Sequence, residues 1–507
     1  MALVYNTTES IEDYVTCLRG TYTTGKSRDK FTRKFYLERL YNLVKENEEQ
    51  FYVALAKDLN KSRAEALASE ISPVLEECVY FLNNFENLTN DQKVKPRLGA
   101  NYTDSAYIRR QGLGVVLIIS TWNYPLQLSL VPLAGALAAG NCVVLKLSEI
   151  SVHTSALITH LLPRYLDPNL YRVVNGAVEQ TQYLIQQKFN HIFYTGNSQV
   201  ARSIMAAASV NLTPVTLELG GKSPAIVTQD SDMQIVANRV AYGKFFNAGQ
   251  SCVAVDYVLI PQSRLTEFTQ AIQKTLSTWY GSDPQRSKDY GRIVNTRHFD
   301  RLLSMMHDRQ SGDIVLGGDS DRDSLYIAPT VIANVKFFDP VLMADEVFGP
   351  ILPVITYTDM EEALGLISRH EPPLALYLFT KKQALIDRVL NVTTSGGVTV
   401  NDTLLHQNEY ALPFGGVGSS GMGSYHGEKS FQTFSQERAV LSKKQRLEWL
   451  MQVRYPPASQ AKLVLLRAIL VTHPLQFRYI LFKKHVKWVS FLLIMVGVLI
   501  KRHLSKF

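Results

Sequence analysis

The sequence predicts an α/β protein built on parallel sheets, and three observations point there. Past Gly112, continuous apolar runs (Val115–Ile119, Cys142–Leu147, Tyr171–Val174, His191–Tyr194) alternate with helical stretches. Strands without polar alternation are strands covered on both faces, as crossover helices cover a parallel sheet. Composition is ordinary, 46% apolar and 19% charged, which excludes a collagen-like repeat, a coiled coil and wholesale disorder. The length, 507 residues, leaves room for about three domains at roughly 150 residues each.

Each element follows from local pattern. Residues 9–90 read as helical, with Leu37, Leu40, Val44, Phe51 and Leu55 at helix-like spacing and no glycine from 26 to 98. Leu126–Ala139 and Thr154–Leu162 are helices between the first strands, and Val215–Leu217 is a further strand. A second α/β stretch runs from Gly220 to about Asn401. It holds strand Pro224–Val227, a helix through Met233–Phe245, and strands Val255–Ile260 and Ile351–Tyr357. The glycine-rich run Pro413–Gly423 follows, best read as turns at a domain junction. The predicted division is 1–217, 218–401, a small segment 402–445, and a tail 446–507.

The tail differs in charge from the body. Ser442 to Phe507 carries thirteen Lys/Arg and one acid, Glu448, leaving 40 basic and 44 acidic residues elsewhere. A basic excess confined to one end predicts contact with an anionic surface and argues against a nucleic-acid footprint over the whole chain. Trp488–Ile500 has no charge and is closed by Lys501 and Arg502. At ~1.5 Å per residue it spans about 20 Å, short of the ~30 Å hydrocarbon core. Snorkelling of Lys483, Lys484 and Lys487 lengthens it. The expectation is a membrane helix at 486–500, spanning or lying in the interface. A buried terminal helix is the bland alternative, which dense basic clusters on both sides disfavour.

Four cysteines, Cys17, Cys78, Cys142 and Cys252, stand far apart with no CxxC pair, so neither a disulfide framework nor a zinc site is expected. The opening residues lack a secretory-signal pattern. Gly20–Ser27 matches the phosphate-loop pattern literally, yet the preceding residues are polar and helix-like, so the match is read as accidental.

The chemistry concentrates around Cys252. It follows Asn247-Ala-Gly-Gln-Ser, a stretch able to bring backbone amides near sulfur. Glu218 ends a strand before a Gly pair, and Asn123 follows the first strand of the sheet, where open α/β sheets bind ligands. Alone, each residue has a structural reading. Together, thiolate, amide and carboxylate are what thioester chemistry on a carbonyl requires.

Residues 100–440 resemble the aldehyde dehydrogenase superfamily, and within it the class 3, fatty aldehyde dehydrogenase branch. The resemblance rests on Trp122-Asn-Tyr-Pro, Lys146-Leu-Ser-Glu149, Tyr194-Thr-Gly-Asn197, Leu217-Glu-Leu-Gly-Gly-Lys-Ser-Pro224, Gly249-Gln-Ser-Cys252 with Asp256-Tyr-Val-Leu, Asp345-Glu-Val-Phe-Gly-Pro350, Val398-Thr-Val-Asn-Asp402, and Leu412 to Gly423 with Tyr425-His-Gly. It implies an NAD-binding domain over 1–217 with bridging strands near 98–112, a catalytic domain over 218–401, and a bridging or oligomerisation segment over 402–445. It also implies Cys252 as nucleophile, Glu218 as general base, and Asn123 with the Cys252 backbone N–H as the oxyanion hole. Lys146 and Glu149 would hold the adenosine ribose, and Glu346 and Phe348 would lie near the nicotinamide ribose. The helix opening at Gly196, Asn197, Ser198 and Ala201 would face the cofactor. Leu147 stands where the family usually has proline, and Ala201 where class 3 has glycine, which puts cofactor affinity in more doubt than activity.

The resemblance implies NAD as cofactor, with NADP open because class 3 includes enzymes that accept it. It further implies long-chain aliphatic aldehydes as substrates, membrane lipid as a partner of the tail, and a homodimer. An aromatic aldehyde is the runner-up substrate, and a catalytically silent membrane scaffold is the reading from another class. The expected place is the cytosolic face of an intracellular membrane, the mitochondrial outer membrane ahead of the endoplasmic reticulum, with lipid droplets a third site.

Overall fold

In the computed structural model, residues 3–98, 101, 104–446 and 448–470 are described. They form two compact units. One runs to Asn90 and again from Arg110 to Gln436, and the other comprises Asp91–Arg109 and the chain from Glu437 onward. The second unit is organised on a three-stranded sheet, Gln92–Val94, Ser105–Gly112 and Ser435–Ser442 in that order. Helix Gln460–Leu470 follows in its sequence. The expected membrane segment 486–500 lies outside the described residues. Among the described residues no helix is long and apolar enough to cross a membrane.

The first unit opens with helices Thr8–Thr23, Lys30–Glu46, Glu48–Leu59 and Ser72–Thr89, joined by a short helix Arg63–Ala66 and one π turn, Leu67–Ile71. Three of these starts are capped by side-chain oxygens: Thr7 accepts from the Ser10 amide at 3.2 Å, Asp29 from that of Thr32 at 2.8 Å, and Ser62 from that of Glu65 at 3.3 Å. The phosphate-loop look-alike is the end of the first helix and the turn after it, with Lys26 paired to Asp167 at 2.6 Å. Arg33, buried, closes the far end of helix Gln127–Ala139 by donating to the Ala138 carbonyl, a cation where the helix dipole favours one.

Two sheets follow. The first has six strands in the order Gly421–Met422, Val215–Glu218, His191–Thr195, Val115–Ile119, Cys142–Lys146, Tyr171–Val174. All pair parallel except the two-residue edge strand. The register sets Ile119 opposite Lys146 and Tyr194, and Thr195 opposite Glu218, so the carboxyl ends align on one rim. From Val115–Ile119 the chain steps outward to Cys142–Lys146, and from its neighbour His191–Thr195 it steps the opposite way to Val215–Glu218, so the carboxyl ends of these two adjacent strands form a topological switch point, the usual crevice for ligands. The second sheet has seven strands, parallel but for the antiparallel edge strand Asp313–Leu316, and its centre is Tyr257–Pro261 flanked by Ile351–Tyr357 and Pro224–Val227.

The expected strands sit where the apolar runs placed them, several to the residue. One start differs: the strand expected from Val255 begins at Tyr257, because the Val255 amide is bonded to the Gly243 carbonyl at 3.1 Å and not to a neighbouring strand. The glycine-rich run does more than turn. Gly421 pairs with Glu218, and Leu219 donates to the Ser420 carbonyl at 3.1 Å, so this segment forms the sheet edge beside that carboxylate.

Gly421 has φ 141° and ψ −170°, a region essentially closed to other residues, and a Cβ there would lie 2.1 Å from the Leu217 carbonyl oxygen. Gly421→Ala is therefore expected to lower unfolding free energy by about 1–3 kcal/mol or more, read as a lower urea midpoint at unchanged m-value.

Candidate active site

The site is organised by a turn. After helix Met233–Phe245, Asn247 (φ 52°), Ala248 (φ 50°) and Gly249 (φ 72°) are all left-handed. Side chains pay a steric cost in that region, so the surroundings must hold them. The Asn247 amide donates to the Glu65 carboxylate, and its Nδ2 donates to the carbonyls of Asn123 (2.9 Å) and Gln250 (3.0 Å). Gln250 Nε2 donates to Asn247 O and Arg292 O at 3.0 and 2.9 Å. Gly249 is required because a Cβ would fall 2.2 Å from Gly349 O. The turn delivers Cys252, half-buried, to the rim of the six-stranded sheet.

Asn123 and Glu218 meet it there. Asn123 Nδ2 donates to Gln250 O at 3.2 Å, which ties the amide to the turn, and its Oδ1 is buried without a partner. Glu218 is 2% exposed and neither carboxyl oxygen has a hydrogen-bond partner. Burial without compensation pushes its acidity well down, holding the proton on the carboxyl above the usual carboxylate range. The Cys252 thiol is likewise pushed up, first by burial and then by the charges of Glu346 and Glu218, while the amides of Cys252 and Val253 oppose the shift. Two carboxyl groups therefore oppose ionisation of this sulfur and two backbone amides favour it.

Glu346 is placed by a buried ion pair. Lys222 Nζ lies 2.6 Å from Asp256 and also donates to Leu342 O and Asp345 O at 2.9 Å. Asp256 accepts from the Val347 amide at 2.9 Å. The loop is so fixed that the Glu346 carboxylate rests on Gly220, where a Cβ would lie 2.0 Å from Oε2. Phe348 packs edge-on against Trp122. Lys244 is fully buried with no partner on its ammonium, and desolvation lowers it to about 8.

The residues expected to hold a dinucleotide line the rim. Lys146 ends its strand, buried, donating to Leu147 O at 2.7 Å with Glu149 at 3.3 Å. An ammonium donor beside a carboxylate acceptor is the set that vicinal hydroxyls satisfy, and the carboxylate repels a 2′-phosphate. Gly196 donates to Glu218 O at 3.0 Å. Helix Ser198–Asn211 starts beyond it, with Asn197 capping the Val200 amide at 2.9 Å. A helix start on the rim fits an anionic phosphate. Ala201 lies in the first turn of that helix, its side chain buried and its amide bonded to Asn197 O. A crevice lined by Tyr124, Gln127, Tyr242, Phe246, Leu404 and Leu405 also lies in this unit, and Tyr124 sits beside Ser251 and Cys252.

Sequence reasoning assigned no role to Lys61, Glu65 and Glu70, which sit under the turn. Lysine and glutamate four apart on a helical stretch read as a solvated pair, and nothing in the local pattern marks them as buried.

The Aldehyde dehydrogenase family model matches residues 5–440. The rat protein Aldehyde dehydrogenase family 3 member B1 is 46% identical over 455 residues, covering 90% of this chain and 96% of its own. Rat Aldehyde dehydrogenase family 3 member A2 is 44% identical over 454 residues, covering 89% of this chain and 92% of its own. Among solved structures, a substrate-bound state of Staphylococcus aureus AldH superposes with TM-score 0.87 at 40% identity, over 90% of this chain and 99% of that one. An indole-3-acetaldehyde dehydrogenase complexed with NAD+ gives TM-score 0.79 at 26% identity, over 87% and 90%.

Because Glu218 keeps its proton when folded and loses it when unfolded near the ordinary carboxylate value of 4.5, folding is penalised as pH rises above that value. Glu218→Gln removes the penalty. Its melting temperature relative to the parent is expected to be level below the unfolded carboxylate range and to climb steadily through neutral pH.

Proposed function

The chain belongs to the aldehyde dehydrogenase family and is an NAD(P)-dependent aldehyde dehydrogenase; from that premise we propose that it oxidises long-chain aliphatic aldehydes to carboxylic acids through a thioester on Cys252. The observation carrying the reading is that Cys252, Asn123 and Glu218, far apart in sequence, come together: Asn123 is bonded to the turn before Cys252, and the Glu218 carboxyl acts on the Cys252 thiol.

In this reading Glu218, ionised when it acts, relays the Sγ proton of Cys252 through water to bulk solvent, and the thiolate attacks the aldehyde carbon. The new oxyanion is held by the Asn123 amide and the Cys252 N–H. Lys146, Glu149, Glu346 and the start of helix Ser198–Asn211, with Phe348 beside them, would hold NAD, which would supply the acceptor for the hydride leaving the aldehyde carbon. Glu218 then takes a proton from the water that cleaves the thioester, releasing the acid. A carboxyl whose pKa is raised is the stronger base for that step. The Lys222–Asp256 pair positions Glu346.

The chain-length preference is supported by the tail. An uncharged run at 488–500 between basic clusters would keep the enzyme at a membrane, where each buried CH₂ of a substrate contributes about 0.8 kcal/mol to partitioning. We place the catalytic body on the cytosolic face, the mitochondrial outer membrane ahead of the endoplasmic reticulum.

Cys252→Ala is expected to abolish NADH formation while NAD binding persists, and Asn123→Ala to cost ~10²–10³ in kcat. Along a series from short aldehydes to C16, kcat/KM should rise. A flat or falling series would remove the fatty assignment in favour of compact or aromatic aldehydes.

A further inference from the structure

Beneath the catalytic turn lies a charged cluster that the reaction does not touch. Lys61 and Glu70 form an ion pair with both side chains fully buried. Lys61 Nζ also donates to the backbone carbonyl of Asn123 at 2.8 Å and lies 4.1 Å from the Tyr124 ring centroid. The other Glu70 oxygen accepts the amides of Leu126 and Gln127, both at 3.0 Å, at the start of helix Gln127–Ala139. Glu65, buried nearby, accepts the amide of Asn247. The Asn123 carbonyl thus receives two donors, Lys61 Nζ from one side and Asn247 Nδ2 from the other.

Buried charge of this kind is poor value for stability, since apolar replacements of similar volume are often as good or better. Its geometry is informative instead. Apart from the Tyr124 ring, the three charged side chains reach outside the cluster through hydrogen bonds to backbone groups of 123–127 and of 247, the two segments that carry the oxyanion amide and the strained turn before Cys252. We propose that Lys61, Glu65 and Glu70 are positioning residues that lock the Asn123 loop and the Asn247–Gly249 turn into one register, fixing the distance between the Asn123 amide and Cys252. The proposal rests on the roles given to those two residues above.

Glu65→Leu removes the acceptor for the Asn247 amide, and Glu65→Gln keeps one. A misplacement of about 1 Å at a reacting centre costs roughly 10²-fold. Glu65→Leu should therefore lose about that factor in kcat, with aldehyde KM and NAD affinity held, and Glu65→Gln should recover most of it. Should Glu65→Leu fail to fold, the double variant Lys61→Met/Glu70→Gln decides. It removes both buried charges together, and should fold yet lose tenfold or more in kcat at unchanged NAD affinity, about 1.4 kcal/mol of barrier. A folded Glu65→Leu or double variant with parental kcat overturns the proposal. So does a loss of kcat matched by an equal loss of NAD affinity, the mark of general damage. Asn123→Ala is run alongside: parental turnover there would instead overturn the reading of the active site.

Discussion

Three consecutive left-handed residues, Asn247, Ala248 and Gly249, are the constraint on which the active site depends. Two of them have side chains, so the conformation survives only because neighbours over-determine it. The Asn247 amide and side chain are both bonded, Gln250 bridges Asn247 and Arg292, and Gly249 has no room for a Cβ. These contacts come from the N-terminal helices, the first sheet and the second sheet. The nucleophile therefore stands where it does because of the whole first unit, and its local sequence would not hold it there.

A second principle is uncompensated burial. Glu218 has no hydrogen-bond partner, and both it and Glu346 raise the cost of ionising Cys252. This is a poor arrangement for stability and a useful one for proton traffic. A carboxyl that resists ionisation accepts a proton readily when a thiol or a water offers one, and backbone amides at the sulfur favour the anion when it forms. Contrast Lys222, whose charge is fully paired with Asp256 and two carbonyls and serves only to hold a loop.

Much of this was legible in the sequence, and for physical reasons. Parallel strands covered on both faces are continuous apolar runs, so Val115–Ile119, Tyr171–Val174 and Pro224–Val227 could be read directly. Glu218 and Asn123 could be singled out because strand ends followed by flexible or amide residues are where ligands bind. What stayed hidden was tertiary. Nothing in Lys61, Glu65 or Glu70 distinguishes a buried charge from a solvated helix face, since that depends on which helix lands on top. The glycine-rich run looked like turns because a two-residue strand beside Glu218 is too short to leave a pattern.

The central claim is that Cys252 carries an acyl group that Glu218 helps to remove. Intact-mass and peptide measurements on Glu218→Gln, mixed briefly with decanal and NAD, test it most directly. The account predicts a burst of NADH matching the enzyme present and a persistent decanoyl increment on the peptide containing Cys252. NADH formation with no increment on that peptide, or an increment on another residue, would contradict it.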